Sequence, residues 1–192
     1  MATIKNVEIF KAGSWNGSGG KTQFSHKDLD AMVASWEELG SQPGFVPGVK
    51  LGHSESQKFF GNTQGQPRLG FVEKIWREGN KILANFAAVP QALVDLIEKG
   101  RYNQVSVEMY PKYEYDGKTF RHLLTAVALL GAELPAVKGL KDLQASLFTE
   151  EEAFDVEQEK REFTQEKIGM FTQEQVDSMI AAAIANRNEE VK

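Results

Sequence analysis

The sequence predicts an α+β protein built mainly on antiparallel strands: a strongly bent sheet or closed β-barrel, with peripheral helices and a helical C-terminal tail. Three observations predict it. Strand-like alternating segments outnumber helical ones, two pairs of them are joined by short turns into hairpins, and the helical segments are inserted between strands. The 192 residues hold one domain of ordinary size and an appendage. Composition changes near Leu140–Phe148. From Glu150 onward the chain is rich in Glu and Gln, poor in large apolar residues and free of proline. The expected division is a domain over 1–145 and an acidic helical tether over 146–192.

In chain order, Val7–Ala12 reads as the first strand and Gly13–Gly20 as a mobile loop, since its four glycines surround Trp15 and Asn16. That loop lacks the Lys-Ser/Thr ending of a phosphate cradle. Ser25 with Asp28 three residues later marks a helix start. The helix runs to about Leu39, with Leu29, Met32, Val33 and Trp36 as its buried stripe, and Gly40–Gly44 ends it. Phe45–His53 is strand-like despite Pro47 and Gly48, which suggest an edge or a bulge. A regular pleat puts Val49, Leu51 and His53 on one face. Ser54–Leu69 reads as a surface loop.

Gly70–Trp76 and Lys81–Val89 flank Arg77-Glu78-Gly79-Asn80 as a hairpin. Pro90 opens a helix over Gln91–Lys99 that Gly100 closes. Tyr102–Tyr110 alternates strictly, so Val105, Val107 and Met109 face the core while Gln104, Ser106, Glu108 and Tyr110 face away. The turn Asp116-Gly117 joins it to a long strand, Lys118–Leu130. Gly131–Leu140 ends the regular structure.

Composition excludes several functions. There is no cysteine, so thiol nucleophiles, disulfides and cysteine-based zinc sites are ruled out. With only His26, His53 and His122, widely spaced, no zinc centre or other metal site is expected, and no cofactor. A net charge of −5 argues against a nucleic-acid partner. No apolar run is long enough for a membrane span, and Met1–Lys5 lacks the apolar core of a signal peptide. The expectation is a soluble protein that works where it is made.

Serine and histidine form the minimum for acyl transfer: a neutral imidazole takes the hydroxyl proton during attack and returns it to the leaving amine. Ser106, held on a rigid strand and facing away from the core, and His53 are the candidates. Their setting is Leu51-Gly52-His53, a loop, Leu69-Gly70-Phe71-Val72, a hairpin, a helix ending Lys99-Gly100, then Val105-Ser106-Val107-Glu108. In order and spacing it resembles the phage prohead proteases, particularly the Mu-like prophage protease–scaffold proteins. Ala126–Leu130 followed by Leu134-Pro135-Ala136-Val137 is similar too, and the resemblance covers roughly residues 1–145.

The resemblance implies the closed barrel of the herpesvirus assemblins. It also implies a serine endopeptidase that cleaves scaffold and major capsid proteins, and itself, inside the assembling prohead in the host cytoplasm. Ser106 becomes the nucleophile and His53 the general base. The third member departs from the pattern. In the relatives a second histidine or a carboxylate stands where Ala126 stands here, and alanine cannot orient an imidazole. Thr125, Glu108, Glu133 and His122 are the alternatives. His122 shares a face with Ala126 but lies four residues away, about 13 Å; Thr125 points to the other face unless a bulge intervenes. The relatives hold the oxyanion with a backbone amide and an arginine. The corresponding loop, Gly131–Lys141, has no arginine, so backbone near Gly131 is the expected donor. The alternative function is an inactive scaffold or assembly protein that keeps the fold and has lost the third residue.

Phe-Thr-Gln/Glu-Glu occurs three times in the tail, at Phe148, Phe163 and Phe171, and each copy can begin a helix. Val176, Met179, Ile180, Ala183 and Ile184 give a narrow apolar stripe over 172–187. A helix this short needs a partner, and self-association or attachment to scaffold is the expectation.

Overall fold

The computed structural model describes residues 1–53 and 67–147, and Met1–Leu147 form one compact unit. The strands are β1 (Ala2–Lys11), β2 (Gly13–Gly17), β3 (Gly20–Phe24), β4 (Gly48–Leu51), β5 (Phe71–Glu78), β6 (Lys81–Val89), β7 (Gln104–Tyr115) and β8 (Lys118–Leu130). The α-helices are α1 (His26–Ser35) and α2 (Gln91–Glu98). The class is α+β, mostly sheet with few helices. Six strands form one sheet in the order β1-β6-β5-β4-β8-β7, and β2 pairs with β3 separately. All pairs are antiparallel except β4 with β8.

Local chemistry sets these boundaries. Asp116 and Gly117 both have positive φ (49° and 71°), the two-residue turn whose twist matches a hairpin, and Tyr115 pairs with Lys118 across it. At the start of α1, Asp28 Oδ2 accepts hydrogen bonds from the Ser25 amide (2.8 Å) and hydroxyl (2.7 Å). The helix buries Leu29 and Met32, then continues through a wider π-helical turn, Trp36–Gly40, that buries Trp36 and Leu39. The main core packs against the sheet, and a smaller cluster gathers Leu39, Phe120 and Leu123. Ile9, Ile75, Ile82, Phe86, Val127 and Leu129 are almost wholly buried, each such side chain contributing about 1.5–3 kcal/mol of transfer free energy.

Three expectations need correction. Gly13–Gly20 is not a loop: it belongs to the β2–β3 hairpin, which turns at Gly17 and Gly20 and pairs Trp15 with Thr22. Trp15 Nε1 donates to the Lys11 carbonyl at 2.8 Å, fixing the hairpin to the end of β1. The segment 45–53 is a strand only over Gly48–Leu51. It stops there because Gly52 adopts a left-handed conformation (φ 58°) while its amide still bonds the Leu129 carbonyl at 2.9 Å. Third, that change of direction removes His53 from the apolar face of Val49 and Leu51. The expected tail helices, including 172–187, lie outside the described residues.

β4 is short but central. It sits between β5 and β8, and its parallel register on β8 runs from Gly48↔Ala126 to Leu51↔Leu129. β7 lies on the other side of β8, with Ser106↔Ala128 and Glu108↔Ala126. The two ends of the strand order, β1 and β7, come close together.

Candidate active site

The register builds the site. Residues directly opposite on neighbouring strands share a face, as do residues two apart on one strand. One row across β7, β8 and β4 is therefore Ser106, Ala128 and Lys50, and the next is Glu108, Ala126 and Gly48. The intervening residues Val127 and Val49 are fully buried on the opposite face. The alternation expected of Tyr102–Tyr110 thus holds where it matters: Val105 is in the core, and Ser106 and Glu108 stand on the other side.

Small side chains on β8 let the flanking strands reach each other. β7 and β4 are on the order of 9–10 Å apart with β8 between them, and the β8 residues on that face are Ala126 and Ala128. Over them Glu108 meets an ammonium and an imidazole. Its Oε1 lies 2.7 Å from Lys50 Nζ and 2.8 Å from His53 Nδ1. The Glu108 and His53 side chains are about a third exposed, whereas Lys50 is nearly buried, at 13 %.

Burial of the Glu108 carboxyl opposes its ionisation, but hydrogen bonds from Lys50 and then His53 outweigh that cost and hold it below the usual carboxylate range. An ionised carboxylate only accepts hydrogen bonds, so Nδ1 of His53 carries the proton. The basic lone pair is then on Nε2, the tautomer a general base needs. Ser106 and His53 make no hydrogen bond to each other in this structure. Both are placed relative to Glu108: His53 binds it, and Ser106 stands two residues before it on the same face. Bonds of this kind often tighten only when substrate arrives.

Of the four alternatives for the third member, Glu108 is the one found on His53. His122 is not at the site. It has a left-handed backbone (φ 54°), its Nε2 lies 3.1 Å from Asp28 Oδ1, and its ring packs on Phe24. Thr125 falls at the irregularity where the pairing steps from Glu108↔Ala126 to Met109↔Leu124, so the bulge that would reorient it is present, but Glu108 occupies the imidazole. Glu133 follows the end of β8, five residues past Ala128. Gly131 also lies past β8, three residues from Ala128, or about 10 Å along the strand. It packs against the Arg101 carbonyl, which would lie 2.9 Å from an added Cβ.

The residue that sequence reasoning missed is Lys50. Its place on the polar face follows from alternation with Val49, but its partner becomes visible only once β4 is registered on β8. Arg68 is a further charge on this face. A Cβ at Gly48 would lie 3.2 Å from Arg68 Nε, so glycine leaves room for the arginine to cross, and Nη2 donates to the Val46 carbonyl at 3.1 Å. Among the described residues no group of histidine and carboxylate side chains is arranged to hold a metal ion. No protein-family model, curated protein or solved structure matches the chain.

Proposed function

We propose that the protein is a serine endopeptidase in which Ser106 is the nucleophile, His53 the general base and Glu108 the group that orients and charge-stabilises the imidazole. One observation carries the reading: the carboxylate on His53 Nδ1 comes from the same strand face as Ser106, two residues away. In the first step Nε2 takes the Ser106 proton as Oγ attacks the scissile carbonyl, and Glu108 stabilises the imidazolium that forms. The proton then passes to the leaving amine and an acyl-enzyme remains. Water, deprotonated by the same nitrogen, hydrolyses it.

Ala126 had favoured an inactive scaffold, because a carboxylate was expected in its place. Glu108 stands directly across β8's register from Ala126 and supplies that carboxylate from the neighbouring strand. The resemblance to the prohead proteases extends the proposal to a closed, assemblin-like barrel, for which the approach of β1 to β7 is the support. It extends it also to scaffold and major capsid proteins as substrates within the assembling prohead, and to residues 146–192 as a tether that self-associates or joins scaffold.

The test is cleavage of a scaffold or capsid protein by the purified full chain, compared with Ser106→Ala and His53→Ala. Both variants should remain folded and lose cleavage. Near-wild-type cleavage by either would remove that residue from the mechanism, and an inert wild-type chain would return the scaffold reading.

A further inference from the structure

Lys50 is placed as few lysines are. Its side chain is 13 % exposed, although lysine is almost never buried without a partner. It lies in the row of Ser106, one strand beyond Ala128. Its ammonium touches the same carboxylate oxygen, Oε1 of Glu108, that His53 uses. We propose that Lys50 is a positioning residue of the site: it holds Glu108 over β8 against His53 and sets how much of the carboxylate's charge is left to the imidazole. The kinetic part of this inference rests on the reading of Ser106 and His53 as nucleophile and base.

The physical argument is one of shared charge. A carboxylate that serves histidine alone stabilises the imidazolium with its full negative charge. With an ammonium on the same oxygen, the net charge beside His53 is near zero, and the second cation opposes protonation of the ring. Lys50 therefore takes up part of the carboxylate charge that would otherwise serve the imidazole alone. The other charged groups facing this point are few among the described residues. β7 contributes Glu108 and β4 contributes Lys50. Ala126 and Ala128 of β8 carry no charge. Arg68 crosses Gly48, in the row of Glu108, with its guanidinium anchored to the Val46 carbonyl, and it is the same in every variant compared below. A purely structural lysine would affect folding without moving the pH dependence of the chemistry.

The experiment measures the rate at which a fluorophosphonate probe labels the full chain as a function of pH, in wild type, Lys50→Met and Lys50→Arg. The acid limb of Lys50→Met should move to higher pH by roughly one unit, as expected for removing a cation beside the base, and Lys50→Arg should return it toward wild type. If Lys50→Met does not fold, Lys50→Gln, which keeps a hydrogen-bond donor and drops the charge, carries the same expectation. Superimposable profiles for wild type and the neutral variant would overturn the proposal, as would an arginine variant that behaves like the methionine one. If the wild type is not labelled at all, the nucleophile reading fails separately. Lys50 is then judged on the His53 ring resonances in the same proteins: an upward displacement of their titration in the neutral variant supports its role, and no displacement overturns it.

Discussion

In the proposed mechanism Glu108 is the residue on which catalysis turns, because its bond to Nδ1 would make His53 an oriented base. Glu108→Gln keeps the size and removes the charge. The amide can also donate to Nδ1 and so favour the wrong tautomer. We expect kcat/KM to fall by about 10²–10⁴ and the thermal midpoint to fall as well, because the nearly buried Lys50 loses its anionic partner; a variant retaining more than half of wild-type kcat/KM would remove Glu108 from the mechanism. Asp28 makes a different prediction, about stability. The Ser25 hydroxyl and then the Ser25 amide are the main causes that bring its pKa from 3.8 to about 2, with His122 adding to them. A depressed folded-state pKa means that the ionised form stabilises the fold. This contribution is complete above the unfolded value of 3.8 and disappears as pH falls through about 2. Urea midpoints of Asp28→Asn should therefore lie below wild type near neutrality, with the gap closing between about pH 4 and pH 2. A gap that stayed constant to pH 2 would show that the charge of Asp28 is not what stabilises α1 and β8.

The proposed site is carried by the three-strand strip β7-β8-β4, and the proposal requires that β8 stay small there. Ala126→Leu would fill the space through which Glu108 reaches Lys50 and His53. It should lower kcat/KM at least tenfold while costing less than about 1.5 kcal/mol of stability, since Ala126 is only partly buried. Unchanged activity would mean that Glu108 takes another path. At this scale the sequence was legible for local features only. The period of two in Val105-Ser106-Val107-Glu108 placed Ser106 and Glu108 on one face, and Asp116-Gly117 fixed the β7–β8 hairpin. The partner of His53 was not legible, because it depends on the parallel register of β4 on a strand more than 70 residues later. Gly52 also misled: a glycine continues a pleat or reverses its phase equally well, and here its left-handed φ turns His53 away from the stripe of Val49 and Leu51. Glu108 was one of four alternatives once Ala126 stood in the expected place, and only the register that sets it directly across from Ala126 singles it out as the carboxylate on His53. The four glycines around Trp15 and Asn16 read as a loop, and the pairing of Trp15 with Thr22 that makes the segment a hairpin is visible only in the structure.

For the whole molecule, the expected α+β class with dominant antiparallel pairing matches the sheet, and β4 on β8 is the parallel exception. Residues 1–147 carry the proposed nucleophile, base and carboxylate in one compact unit. Deleting Phe171–Lys192 should therefore leave peptide hydrolysis unchanged and reduce self-association or incorporation into proheads. Sedimentation and prohead assembly would check this, and a truncated protein that assembled as well as the full chain would rule out the tether. The central claim is that Ser106 is an activated nucleophile. Its most direct test is to react the folded full chain with a fluorophosphonate and map the adduct by mass spectrometry. A single adduct on Ser106, lost in His53→Ala and strongly slowed in Glu108→Gln, is the predicted result. No adduct on the folded wild type, or an adduct on another serine that survives Ser106→Ala, would contradict it.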